Sequence, residues 1–346
     1  MTNRNKQTLP WLAGLIAIAA ASGGLGLMHY PGISPLSDRA VEASTSEKDQ
    51  PEILLSTSRE LAPSGLYNYG GSTTMVPIRQ MMEPYIQKTR LGFQLRYTNP
   101  VGQAPGSGSG IKMLLDGQLA FSESSRPLKP EEYDAAKQRG FELEQIAVAI
   151  DGIAIAVNPH LAIEGISIQQ LSDIYQGRIT NWSEVGGPNL EIQPFSRSPE
   201  AGGTPEFFVE NVLDANPLDK SVAIVVDTTT GLRKVAMSPG GIYYASAPEV
   251  VPQCIVQTLP LAKTDGDPFV SPFLPPLVNS TNCPEQRNQL NAAAFRAGTY
   301  PLTRQLFVVV KKNGAAEEEA GQAYADILLS PEGQALIEEA GFISIR

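Results

Sequence analysis

The chain has 346 residues, 42 % apolar and 18 % charged, with 31 glycines and 28 prolines. That is enough apolar material for a sizeable core and too many turn formers for a coiled coil or a disordered chain. The net charge of −10 excludes nucleic acid and anionic membrane surfaces as broad partners. It leaves room for a small anion, which local dipoles hold whatever the overall charge.

Arg4 and Lys6 precede an apolar run over residues 11–28. A basic start followed by an apolar stretch is the export pattern. The run is 18 residues long, the lower edge of a bilayer span. Residues 1–28 are therefore read as a signal peptide or an uncleaved N-terminal membrane anchor. Either places the remainder in the periplasm or on the outer face of the cytoplasmic membrane. Residues 29–60 are polar and turn-rich, as a flexible linker would be.

From residue 64 strands and helices alternate. "SGLYNYG" reads as a strand. Ser72 or Thr73 caps a helix whose Met75, Ile78, Met82 and Ile86 repeat at spacings of three and four. "FQLRYTN" alternates as a strand does. "GSGSGIKMLLDG" is a turn and a helix capped by Ser107 or Ser109, and "LAFSESSRPL" is a strand ending in a polar loop. "AIDGIAIAVNPH" is a strand near 146–157, and "ISIQQLSDIYQGRITNW" a helix. In "RSPEAGGTPEFF", Thr204 is the expected N-cap and Pro205 the first helical residue of a helix reaching Leu213. "SVAIVVDTT" and "PLTRQLFVVVKK" are strands, and two helices broken at Ser330-Pro331 end the chain. This order implies an α/β fold with mainly parallel sheets.

Ligands of such sheets bind beyond the carboxyl ends of the strands. Four loops fall there: residues 71–74, 106–110, 122–125 and 197–204. Each is rich in Gly, Ser or Thr, and three of them open a helix. Gly202 and Gly203 expose backbone N–H groups, the helix dipole favours an anion, and Arg197 adds a charged fork. Donors converging from several helix ends suit a tetrahedral oxyanion such as phosphate or sulfate. Alone, residues 197–208 fit a capped helix beside a surface arginine better than an anion site.

Catalytic readings fail for want of parts. The histidines are His29 and His160, and no G-x-S-x-G elbow accompanies them. A His-rich metal site is excluded by count, and "GSGSGIK" lacks the G-K-[ST] ending of a phosphate loop. No enzyme activity, cofactor or metal is expected. Cys254 and Cys283 are the two cysteines. An exported chain is expected to join them in one disulfide, the other reading being two unpaired thiols.

"GSTT", "GSGSGIKMLLDGQLAFSESSRPL", "DGIAIAVNPH", "LSDIYQGRITNWSEVGGP" and "SRSPEAGGT" follow one another as they do in the PstS-like phosphate-binding proteins, which this chain resembles over residues 64–346. These are the extracytoplasmic receptors of phosphate ABC transporters, and the SphX-type branch is the most similar. The resemblance implies a two-lobed periplasmic-binding-protein type II fold. Each lobe would be a mainly parallel sheet flanked by helices, joined by two crossing strands near 146–149 and 305–310. Lobe I would comprise residues 64–148 with 306–346, and lobe II residues 149–305. A monomer would hold inorganic phosphate in the cleft and deliver it to permease subunits in the cytoplasmic membrane.

Matched by position, Thr73, Thr74, Ser107, Ser125, Arg197, Gly202, Gly203 and Thr204 would be phosphate-binding residues. Two departures follow from the resemblance. Ser125 stands where the family carries an aspartate that accepts the proton of hydrogen phosphate, a device sulfate cannot satisfy. Gly202 replaces a serine, in a turn one residue longer. Glu123 or Glu200 would then be the proton acceptor, or neutral acceptors would suffice, and Arg126 would be either a second cation at the cleft or an exposed loop residue. The departures motivate an alternative: a regulatory sensor or a receptor for a different, sulfate-like oxyanion on the same fold.

Overall fold

A computed structural model describes residues 62–199, 202–278 and 280–345. The N-terminal apolar run, the linker 29–60 and Glu200 lie outside these residues.

β1 (Gly65–Gly71) ends at Ser72, whose hydroxyl accepts from the Thr74 N–H at 3.2 Å. That cap opens a short 3-10 turn, Thr73–Met75, before α1 (Val76–Thr89) begins. Ile78, Met82 and Ile86 are buried in α1, as their spacing predicts. β2 (Phe93–Tyr97), α2 (Ser107–Leu115), β3 (Phe121–Ser124) and α3 (Pro130–Gln138) follow. The long β4 (Glu142–Val157) leads into β5 (Ile166–Ser167), α4 (Ile168–Tyr175), β6 (Gln193–Arg197) and α5 (Gly203–Asn211). Then come β7 (Ala223–Val225), α6 (Thr228–Met237), β8 (Gly241–Ser246), α7 (Ala247–Val250), β9 (Gln257–Leu259), β10 (Leu261–Ala262) and α8 (Ala292–Arg296). β11 (Thr303–Lys312), α9 (Ala316–Leu329) and α10 (Pro331–Glu339) close the chain.

The main sheet runs β2-β1-β3-β11-β4-β8-β6-β7. β2, β1 and β3 are parallel, and so are β8, β6 and β7. Between these groups β11 lies antiparallel to both β3 and β4, and β4 continues antiparallel to β8 and β9. Two apolar cores flank this path. One gathers Tyr69, Met82, Phe121, Val308 and Tyr324; the other gathers Ile155, Trp182, Phe208 and Tyr244. β4 serves both: Val148 and Ala149 lie in the first core, Ile153 and its successors in the second. Likewise Leu302, just before β11, belongs to the second core and Leu306 to the first. This is the two-lobed α/β fold, with β4 and β11 passing between the lobes.

Several local expectations are corrected. α4 stops at Tyr175, because Gly177 turns the chain at φ +71°. Trp182 belongs to a separate 3-10 turn, buried, with its indole N–H donating to the Gly240 carbonyl at 3.1 Å. α5 begins at Gly203 with Gly202 at the cap, so Thr204 sits inside the first turn and does not cap it. Its hydroxyl accepts from Arg304. α5 ends at Asn211, short of Leu213, and Gly106 takes the cap of α2 in place of Ser107 or Ser109. Cys254 and Cys283 form a disulfide across a sequence separation of 29, with Cα atoms 5.8 Å apart.

Candidate functional site

The first loop is braced from behind. The Ser72 N–H donates to the Glu123 carbonyl at 2.9 Å, and the Tyr97 hydroxyl donates to the Gly71 carbonyl at 2.9 Å. Arg79 on α1 donates to the Ser72 carbonyl at 3.0 Å, stacks on the Tyr97 ring and pairs with the Glu123 carboxylate. Tyr324 on α9 donates to the other Glu123 oxygen at 2.8 Å. Thr73 and Thr74 therefore stand on a fixed support. Side chains alternate along a strand: Ser122 meets α2, while Glu123 turns toward α1 and α9. Burial is the largest influence on the Glu123 carboxyl and raises its pKa, with Arg79 working against it. Both of its oxygens are engaged away from the other loops, so the expected role of Glu123 as proton acceptor does not fit its position.

The second and third loops meet directly. Ser107, in the first turn of α2, accepts from the Ser125 N–H at 3.0 Å, and the two hydroxyl oxygens lie 3.2 Å apart. Both residues are fully buried. The start of α5 lands on this pair. A Cβ on Gly203 would come within 2.0 Å of Ser125 Oγ and 3.0 Å of Ser107 Oγ. Gly202, at φ +130°, comes so close to Thr73 that a Cβ would lie 2.7 Å from its hydroxyl. Glycine at both places lets the N-termini of α2 and α5 converge beside Thr73 and Thr74. Unsatisfied N–H groups and two helix dipoles then concentrate positive potential at one point.

An unexpected cation joins this point. Arg304 on β11 and Asp151 on β4 are direct cross-strand partners. Arg304 Nε and Nη2 donate to Asp151 Oδ2 at 2.9 and 2.8 Å, and Ser246 donates to Oδ1 at 2.6 Å. The same guanidinium donates to the Gly203 carbonyl at 3.0 Å, to Thr204 Oγ1 at 2.7 Å and to Thr74 Oγ1 at 3.1 Å. Both side chains are almost completely buried. Burial is the largest influence on the Asp151 carboxyl and raises its pKa, opposed first by Arg304 and then by Ser246. Sequence reasoning missed this pair. The signal was one acid inside "AIDGIAIAV" and one base inside "PLTRQLFVVV", each interrupting an apolar strand.

Arg197, at the end of β6, opens on a narrow adjoining recess with Thr204, Thr228, Tyr243, Tyr244 and the exposed Glu249 in its lining. Its Nη2 lies 3.9 Å from where a Gly202 Cβ would be, so it reaches the same turn. Burial pushes the Tyr243 hydroxyl up to about 12, which keeps it neutral and able to donate. Arg126 is not the second cleft cation. Its guanidinium is held by Glu132 at 2.7 Å and by Glu206 of α5 at 3.0 Å. Lys129 reaches Glu206 at 3.5 Å and also pairs with Glu210. These charges bridge the start of α3 to α5. Among the described residues, no group of three or more His, Cys, Asp or Glu could hold a metal ion, and no helix is long and apolar enough to cross a membrane.

Residues 66–332 match the profile of a PBP superfamily domain. A phosphate-binding protein PstS of Staphylococcus epidermidis is 26 % identical over 283 residues, covering 79 % of this chain and 77 % of that protein. Protein SphX of Synechococcus elongatus is 24 % identical over 292 residues, covering 82 % and 79 %. A solved structure from Clostridium perfringens is described as a phosphate ABC transporter substrate-binding protein with bound phosphate. It has a TM-score of 0.63 and 23 % identity, over 82 % of this chain and 100 % of that one, and shows the shared fold. With the profile matched over more than half of its length, on a fold of the same kind, the chain belongs to the PBP superfamily.

Proposed function

We propose that this chain is an extracytoplasmic receptor that captures inorganic phosphate between its lobes and presents it to the permease subunits of an ABC transporter. The observation that carries the reading is the convergence of Thr73, Thr74, Ser107, Ser125, Gly203 and Thr204 from four separate loops onto two helix N-termini. A tetrahedral oxyanion offers acceptors in the directions such donors supply. Arg197, beside Gly202, provides the charge. Gly202 contributes close backbone approach where a hydroxyl residue would add a donor. The names of the relatives support the same ligand and the same transporter setting.

The work is done by hydrogen bonds and closure, with no bond made or broken. Lobe I (residues 64–148 and 306–346) and lobe II (149–305) would close about β4 and β11. The protein would act as a monomer outside the cytoplasm, with residues 11–28 as signal or anchor. One observation favours a sulfate-like ligand instead: Ser125 carries no charge and Glu123 turns away, so of the expected acceptors for the proton of hydrogen phosphate only Glu200, outside the described residues, is left beside neutral oxygens. Calorimetric titration of the full chain, stripped of bound anion, separates these readings at neutral pH. Saturable phosphate binding with a weaker sulfate response is expected. Sulfate binding as tight as phosphate would move the assignment to the sulfate-like class, and heat from neither would sink the receptor reading.

A further inference from the structure

We infer that Arg304 is a positioning residue that turns the Thr74 and Thr204 hydroxyls into donors toward the ligand. This rests on the receptor reading above and deepens it, naming which hydrogens the cage delivers and what aims them.

A guanidinium has donors and no acceptor. Nη2 has two hydrogens, one held by Asp151, so the hydroxyl oxygens of Thr204 at 2.7 Å and Thr74 at 3.1 Å share the other, and neither hydroxyl can donate to the arginine. Each hydroxyl owns one hydrogen, and none of it is spent on the arginine. The two oxygens lie 3.4 Å apart, so at most one hydrogen is used between them. At least one is left for the cleft. The fork cannot swing, because Asp151 takes Nε and Nη2 while the Gly203 carbonyl takes Nη1. Asp151 also offsets the charge of Arg304 at close range. Its contribution is thus one of orientation, with net attraction left to Arg197 and the helix ends. Thr74 follows β1 and Thr204 opens α5, so a residue on the strand between the lobes sets hydroxyls belonging to both. What this arrangement selects is an oxyanion that turns unprotonated oxygens toward these two hydroxyls, which hydrogen phosphate does.

The test is calorimetric titration of the full chain with inorganic phosphate. Arg304→Lys keeps the charge and loses the planar fork; it is expected to weaken binding about tenfold or more. The same step made in a Thr204→Val chain is expected to cost at least about three times less, because one hydroxyl is no longer there to orient. Far-UV circular dichroism melts establish that each variant is folded. Should Arg304→Lys not fold, the Arg304→Gln/Asp151→Asn double variant replaces it, with the same two expectations. Binding by Arg304→Lys within about twofold of the parent, or an equal cost in both backgrounds, overturns the assignment. A parent chain that binds no phosphate overturns the receptor reading and the assignment with it; a parent that binds beside an unaffected lysine variant overturns the assignment alone.

Discussion

Two buried arginine–carboxylate pairs sit among the described residues, and they differ in reach. Arg79 and Glu123 work inside one core: their partners are Ser72, Tyr97 and Tyr324, and together they fix the loop behind Thr73. Arg304 and Asp151 have the same chemistry and the same burial, yet their contacts run to Thr74 on one side and to Gly203 and Thr204 on the other. A buried ion pair is in itself a weak source of stability, since desolvation offsets much of its attraction. What the two pairs give the molecule is set by what else the arginine can touch. One pair makes a support; the other spans the lobes.

The largest effect that would break this contrast is on the support. Glu123→Ala leaves Arg79 buried without its carboxylate and is expected to cost about 3–5 kcal/mol in urea unfolding. Arg79→Met combined with Glu123→Leu is expected to cost far less, because no uncompensated charge remains. Equal losses for both variants would show that the pair does more than hold a loop. Next comes the meeting point that both pairs serve. Gly203→Ala puts a methyl against Ser125 and forces α5 away, at an overpacking cost of about 1–3 kcal/mol, or roughly five- to 150-fold in phosphate affinity. Unchanged binding would mean that the two helix ends do not meet around the ligand. The smallest effect is at the charged bridge. Glu206→Gln removes the partner of Arg126 and Lys129 on α5. Partly exposed pairs contribute about 0–1 kcal/mol, so affinity is expected to fall by up to about fivefold at low salt. The difference from the parent should fade near 1 M salt, where screening is nearly complete. A difference that persists there would point to packing and not charge.

Legibility in the sequence followed the range of the interactions. The buried face of α1 repeats every three or four residues and β2 alternates, so both were visible in short windows. The loops carrying Ser107, Ser125, Gly203 and Thr204, which the fold brings together, are legible because Gly/Ser/Thr-rich turns at strand ends announce themselves locally. The α4 boundary failed because a helical pattern was read through Gly177. Thr204 as a cap failed because a tertiary partner claimed its hydroxyl. Arg304 stayed hidden since its partners lie 153, 230 and 100 residues away, at Asp151, Thr74 and Thr204. Glu123 was misplaced although the alternation of β3 already put it opposite Ser122.

The sheet order carries a consequence for the timing of synthesis. β11 lies between β3 and β4, yet of the described strands it is the last to leave the ribosome. Until residues 303–312 have emerged, β3 and β4 both present open edges where another chain could pair. The nascent protein is complete in its outer strands while still missing its keystone. Any premature stop ahead of that strand would release a molecule that cannot close on itself.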